Sequence, residues 1–127
     1  MKLNCYKDLL VWQEAMELVE NCYRLTADFP RSEEFGLKSQ MRRAAVAVAS
    51  NIAEGHERQH TNEFVQMISV ALGSLAELET QLEVSRRMKL ISEEDVGMIS
   101  SSCRKVGKML NGLRKSLAQR GLSGQAV

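Results

Sequence analysis

The sequence predicts an all-α protein: an up-down-up-down antiparallel four-helix bundle that assembles into a ring. Three observations carry this reading. Leu, Ala, Met, Glu, Lys, Arg and Gln dominate, with one proline and 5% aromatic residues in 127 positions, which is the composition of long helices. Apolar residues recur at alternating spacings of three and four in four successive segments joined by short polar breaks. Finally, Ala44 to Ala49 reads AAVAVA, six consecutive apolar residues with no polar face. A helix that is apolar all round is covered all round, whereas one bundle seam covers one stripe. The surplus points to another copy of the chain, so assembly rather than catalysis is the first expectation.

Helix one is expected from about Asp8 to Thr26. Val11, Ala15, Leu18, Cys22 and Leu25 form one stripe, with Trp12, Met16, Val19 and Tyr23 beside it. Pro30 ends the element by disfavouring helix at Phe29 and removing a backbone donor. Ser32 is the expected cap of helix two, with Glu33 and Glu34 in its first turn, where carboxylates meet the positive end of the helix dipole. Leu37, Met41, Ala44, Val48 and Ile52 follow as its stripe; Gly36 is a point where the first turn can split off, and Gly55 is the expected C-terminal cap.

His56 to His60 reads as a short polar connection, and Thr61 as the next N-cap. Helix three carries Phe64, Ile68, Ala71, Leu75, Leu78 and Leu82 and runs to about Met88. Gly73 lies in its middle. A mid-helix glycine costs about 1 kcal/mol against alanine, so a close backbone approach by a neighbour is the expected reason for it. Ser92 and Asp95 form a capping box ahead of helix four, whose heptad is Val96, Ile99, Cys103, Val106, Leu110, Leu113 and Leu117. The domain is expected over 1–120, with 121–127 (GLSGQAV) as a patternless, frayed tail.

The length suits a single domain whose core needs neither disulfide nor metal. Cys5, Cys22 and Cys103 are odd in number and show no CxxC spacing, which fits buried thiols in a reduced compartment. The N-terminus lacks the apolar core of a signal peptide, and no apolar run approaches the roughly 18 residues of a membrane span. A cytoplasmic protein is expected. Net charge is +1 and implies no polyanionic partner by itself, but Val96 to Val127 holds six basic residues and no acid.

Several segments together carry a resemblance. These are YKDL at 6–9, VWQEA at 11–15, FP at 29–30, FGL at 35–37, QMRRAAV at 40–46, SNIAEG at 50–55 and ALGSLAELETQL at 71–82. The set resembles the bacterial four-helix-bundle proteins named after the 23S rRNA intervening sequences that encode some of them. Helix four matches only in kind. The resemblance implies a bundle that forms a ring, a homopentamer in this family, and kinship with the accessory variability determinant of diversity-generating retroelements. That relative is a ring-forming bundle working with a reverse transcriptase and nucleic acid.

No catalytic set is complete. Glu57 and His60 have the spacing of the Glu-x-x-His element of di-iron bundles, but such a site needs a second pair and two further inward glutamates, and the only histidines are His56 and His60. No arginine lies five to seven residues before either histidine, which removes a helical ribonuclease motif of the Arg-(x4–6)-His kind. No phosphate loop, cofactor, metal set or small-molecule substrate is legible. The expected function is therefore non-enzymatic: an oligomeric adaptor that binds RNA, or a nucleic-acid enzyme, through a basic surface. The alternative is a homo-oligomeric scaffold for protein partners.

The candidate basic set is Arg104, Lys105, Lys108, Arg114 and Lys115 on helix four with Arg86 and Arg87 at the end of helix three. No aromatic residues are interleaved with these charges, so a solvated charged face is the competing reading. The candidate oligomer interface is Arg42, Arg43, Val46, Ala47, Asn51 and Glu54 on helix two. There the arginines are expected to meet acids of a neighbour, and Asn51 and Glu54 to set packing register.

Overall fold

The helical periodicities translate into four long helices: α1 (Leu10–Thr26), α2 (Leu37–Glu57), α3 (Thr61–Arg87) and α4 (Glu93–Ala126). The computed structural model describes the backbone of residues 5–126 and the side chains of residues 5–120, and the frayed tail expected at 121–127 lies outside the described side chains. Among the described residues there is no strand, and two 3-10 turns, Tyr6–Asp8 and Arg31–Glu33, precede α1 and α2.

Specific contacts fix the helix directions. Met41 and Ser85 touch near one end of α2 and α3, while Gly55 meets Phe64 and Met67 near the other, so these two run antiparallel. Arg86 reaches Glu93 and Arg114 reaches Ser69, which sets α4 antiparallel to α3. Arg42 bonds to Thr26 across α1 and α2, and Lys105 to Glu14 across α4 and α1. Each helix packs on the next and α4 returns to α1, whereas among the described residues no Cα of α2 comes within 8 Å of one in α4. The helices therefore occupy the corners of a square, with α2 and α4 on one diagonal.

The core is the set of stripes read from the sequence. Leu18, Met41, Ile52, Ile68, Leu78, Ile99 and Leu110 are fully buried, and Cys22 and Cys103 complete it as buried thiols. Each buried Leu, Ile or Met contributes about 1.5–3 kcal/mol of transfer free energy, so these stripes, rather than helix propensity, hold the bundle together.

The helix ends differ in detail from expectation. Gly36, not Ser32, is the residue before α2, and the Glu33 carboxylate accepts from Leu37 N at 3.1 Å. A side chain already committed to the 3-10 turn thus caps the helix that follows. His60 rather than Thr61 precedes α3, without a side-chain cap. The Ser92 hydroxyl does cap α4, accepting from Asp95 N at 3.1 Å. At the end of α3, Lys89 takes φ 60°, and Leu90 N donates back to Ser85 O at 3.0 Å. This is a left-handed helix stop built without glycine.

Two glycine expectations are corrected. Gly55 is not a C-terminal cap: α2 continues to Glu57, and a Cβ at 55 would lie 2.8 Å from Met67 Cβ and 2.9 Å from Phe64 Cδ1. It is buried and sits where α2 and α3 pass closely. Gly73 has nothing among the described residues within 4 Å of where a Cβ would stand, so no helix of its own chain crosses there.

Candidate functional site

Packing on two sides absorbs most of the apolar run in α2. Ala44, Ala45, Val48 and Ala49 are buried against the bundle, which leaves Val46 at 39% exposure and Ala47 half-buried. The surplus that the sequence implied is thus narrower than six residues. It is extended by an open groove of about 310 Å³ between α1 and α2, where Tyr6, Trp12, Met16 and Val19 face Val46 and Ala53. Tyr6 and Trp12 pack edge to face, with ring centroids 5.3 Å apart. The second α1 stripe gave the signal for this groove.

The polar candidates on α2 separate into groups. Arg42 is engaged within the chain: its Nε donates to Thr26 Oγ1 at 3.0 Å, its terminal nitrogen donates to Tyr23 O at 2.9 Å, and its guanidinium lies 4.4 Å above the Tyr23 ring. The carbonyl it satisfies is in the last turn of α1, where orphan acceptors need a donor. Asn51 donates to Ala47 O in its own helix at 2.8 Å, and Glu54 pairs with Arg58 at 2.9 Å. Arg43 projects into a cleft of about 490 Å³ between α2 and α3, bordered by Gln40, Glu77 and Gln81.

The basic candidates also divide. Glu83 accepts from both Arg86 and Arg87, at 2.6 and 2.8 Å, and Glu93 stands 3.6 Å from Arg86. Hydrogen bonds from the two guanidinium groups hold the Glu83 carboxyl down at about 2, and the same pair pushes Arg86 above its ordinary value. Lys105 pairs with Glu14 on α1 at 2.9 Å, which raises its pKa. These three cations are thereby neutralised locally.

Arg104, Lys108, Arg114 and Lys115 make no ion pair among the described residues. Arg104 donates to Ser100 at 3.1 Å; Arg114 donates to Asn111 at 2.9 Å and Ser69 at 3.3 Å, all uncharged partners. Arg104, Lys108 and Lys115 are exposed on the outer side of α4, diagonal to α2. Charge counting over 96–127 missed the pairing of Lys105 because its partner, Glu14, belongs to α1.

Chemistry of other kinds has little to work with. The histidines separate: His56 lies in the last turn of α2 and packs edge-on against Phe64 with centroids 5.8 Å apart, whereas His60 is exposed. Among the described residues no group of three or more His, Cys, Asp or Glu is placed to hold a metal ion. A cleft of about 570 Å³ at that end of the bundle is bordered by His60, Arg58, Arg120 and apolar Leu113 and Leu117. Arg58 is balanced there by Glu54 and Glu63. Burial pushes the Cys22 thiol up to about 11 and the Cys103 thiol to about 12, away from nucleophilic thiolate. Among the described residues no helix is long and apolar enough to cross a membrane.

Comparison with known proteins adds a family and a fold. Residues 7–112 match the family model described as 23S rRNA-intervening sequence protein. No curated protein matches. A crystal structure described as a protein with unknown function from the S23 ribosomal protein family of Bacteroides thetaiotaomicron VPI-5482 superposes with a TM-score of 0.78 at 23% identity. The alignment covers 84% of this chain and 96% of that one. The likeness shows the fold.

Proposed function

Because the chain belongs to the 23S rRNA-intervening sequence protein family across residues 7–112, we propose that it is a non-enzymatic, cytoplasmic four-helix-bundle adaptor. It assembles into a ring, a homopentamer as the resemblance implies, and presents RNA with the cationic side of α4. The observation that carries this reading is the outward stripe of Arg104, Lys108 and Lys115, exposed and free of any carboxylate among the described residues. Three charges on one chain hold a polyanion weakly, but a ring repeats them and converts later contacts into intramolecular ones. The assembly side supports the reading through Val46 and the aromatic groove beside it, apolar surface that a lone bundle leaves wet.

Binding by such a stripe is electrostatic and tolerant of sequence, since no aromatic platform or groove-reading element accompanies it. Kinship with retroelement accessory proteins, which the resemblance implies, would add a nucleic-acid enzyme as a further partner on the same surface. The test is fluorescence anisotropy with labelled single-stranded RNA across a salt series, on protein whose mass is established by light scattering. The logarithm of affinity falls with the logarithm of salt at about −0.7 per contacted phosphate. Arg104→Glu with Lys108→Glu lowers affinity and slope while leaving the oligomer mass unchanged. No binding at low salt by a verified oligomer makes the stripe ordinary surface charge. The chain is then a homo-oligomeric scaffold for protein partners, a role favoured by Phe35 at 93% exposure.

A further inference from the structure

The turn between α1 and α2 presents an aromatic ring to solvent. Phe35 is 93% exposed, whereas Phe29, at the start of the same turn, is buried in the core. The segment that carries the ring is built rather than slack. Glu34 N donates to Arg31 O and Gly36 N to Glu33 O, both at 3.1 Å, and the Glu33 carboxylate accepts from Leu37 N. A Cβ at position 36 would lie 2.7 Å from that carboxylate, so glycine leaves room for the cap that fixes the turn. A single exposed apolar residue is ordinary on a protein surface. This one has company: it borders an open concavity of about 240 Å³ together with Tyr23, itself 43% exposed, and Lys38, Arg42 and Arg43. Glu34 is the one carboxylate on that border among the described residues, and it pairs with Lys38 at 3.0 Å. Three cations against one carboxylate leave an excess of two positive charges beside two aromatic rings. Arg42 is fixed over the Tyr23 ring at 4.4 Å. Arg43 is exposed and makes neither a hydrogen bond nor an ion pair among the described residues.

We propose that this concavity binds an unpaired nucleotide of a single-stranded nucleic acid, with the base stacked on Phe35 and the phosphate held by Arg43. Single strands are held without sequence preference by an aromatic face that accepts a base and by cations that track the backbone. Both parts are present here, and a nucleotide uses both at once. A duplex uses only the second, because its bases are stacked on one another and offer no free face. The site belongs to α1, α2 and the turn between them, so it depends neither on the α4 stripe nor on any assembly of the chain.

Fluorescence anisotropy at low salt, with labelled single-stranded and duplex RNA of equal length, tests this on the full chain, and circular dichroism confirms the fold of each variant. Phe35→Ala removes a ring that the core does not use, so the bundle stays folded. It lowers single-strand affinity about tenfold while leaving duplex affinity and the salt slope unchanged. Phe35→Trp restores single-strand affinity, because any broad aromatic face serves. Arg43→Gln lowers affinity and reduces the salt slope by about 0.7, the share of one phosphate. The effect of Phe35→Ala persists in the Arg104→Glu, Lys108→Glu background, so a failure at α4 and a failure at Phe35 are read separately. The inference is overturned if Phe35→Ala binds the single strand like the parent, if it weakens single strand and duplex alike, or if the parent binds no single strand; Phe35 then anchors a protein surface instead. Displacement of the strand by adenosine monophosphate at equal concentration would overturn the single strand as the source of the nucleotide.

Discussion

Replacing Gly55 with alanine probes a close approach of α2 and α3. Helix propensity alone favours the change by about 1 kcal/mol, because alanine removes the backbone entropy that glycine carries. Packing opposes it. The new methyl group would lie 2.8 Å from Met67 Cβ and 2.9 Å from Phe64 Cδ1, well inside ordinary carbon contact near 3.5–4.0 Å. The Phe64 ring can turn, but Met67 Cβ is fixed to the backbone of α3, so the two helices must separate by several tenths of an ångström. Overpacking of that kind costs about 1–3 kcal/mol at one contact, and here two contacts act together. The expected net loss is about 1–2 kcal/mol, a fall in midpoint of about 4–8 °C for a chain of this length. Gly112→Ala is the matched control: nothing lies within 4 Å of its Cβ position, so it gains the propensity term and rises by about 1 kcal/mol. Thermal and urea melts followed at 222 nm on both variants decide the matter. A Gly55→Ala protein as stable as its control would show that α2 and α3 are not in close contact at this point.

Lys89→Gly is expected to stabilise the bundle by about 1 kcal/mol in the same melts, because φ 60° costs lysine what glycine adopts freely. A loss instead would mean that the lysine side chain contributes more than its backbone costs. Arg42→Ala is expected to lose about 1–2 kcal/mol, since it removes two hydrogen bonds and the contact with the Tyr23 ring, and hydrogen exchange should rise in the last turn of α1. Unchanged protection there would refute the anchoring role. Both core thiols titrate higher when folded than when unfolded, so their stabilising effect is complete below pH 9 and is lost as pH rises toward 11 and 12. Denaturation midpoints should therefore fall above pH 9, and Cys22→Ala with Cys103→Ala should flatten that decline. A thiol reagent at pH 8 should label Cys5 ahead of the other two, and rapid labelling of all three in the folded state would contradict their burial.

The core was legible because its signal is local and repetitive. Leu18, Met41, Ile52, Ile68 and Leu110 fall on stripes that a 3.6-residue period defines without reference to any partner. Ser92 was legible for the same reason, since a cap and its acceptor lie three residues apart. Gly55 and Gly73 were not, because a glycine in a helix announces a need for space without saying on which side, and only the position of α3 shows that Gly55 uses it within the chain. The basic set was half legible. Arg86 and Arg87 are balanced by Glu83 on their own helix, a spacing open to inspection, but the partner of Lys105 lies on α1, and no linear pattern links residue 14 to residue 105. The contacts of Arg42 within the chain were not legible because its acceptors, a hydroxyl and a backbone carbonyl, carry no charge to mark them.

The diagonal separation of the α2 and α4 backbones has a consequence for control. A disturbance at the α2 edge reaches the α4 stripe through the shared core and through α1 and α3, which pack against both corners, rather than through a direct backbone contact. In the ring proposed above, stoichiometry also couples the two surfaces. Gaining or losing subunits changes how many stripes a single polymer can span, while the intrinsic strength of each stripe stays the same. Such a ring counts its subunits: its response to a polyanion would follow subunit concentration, and graded expression would tune it.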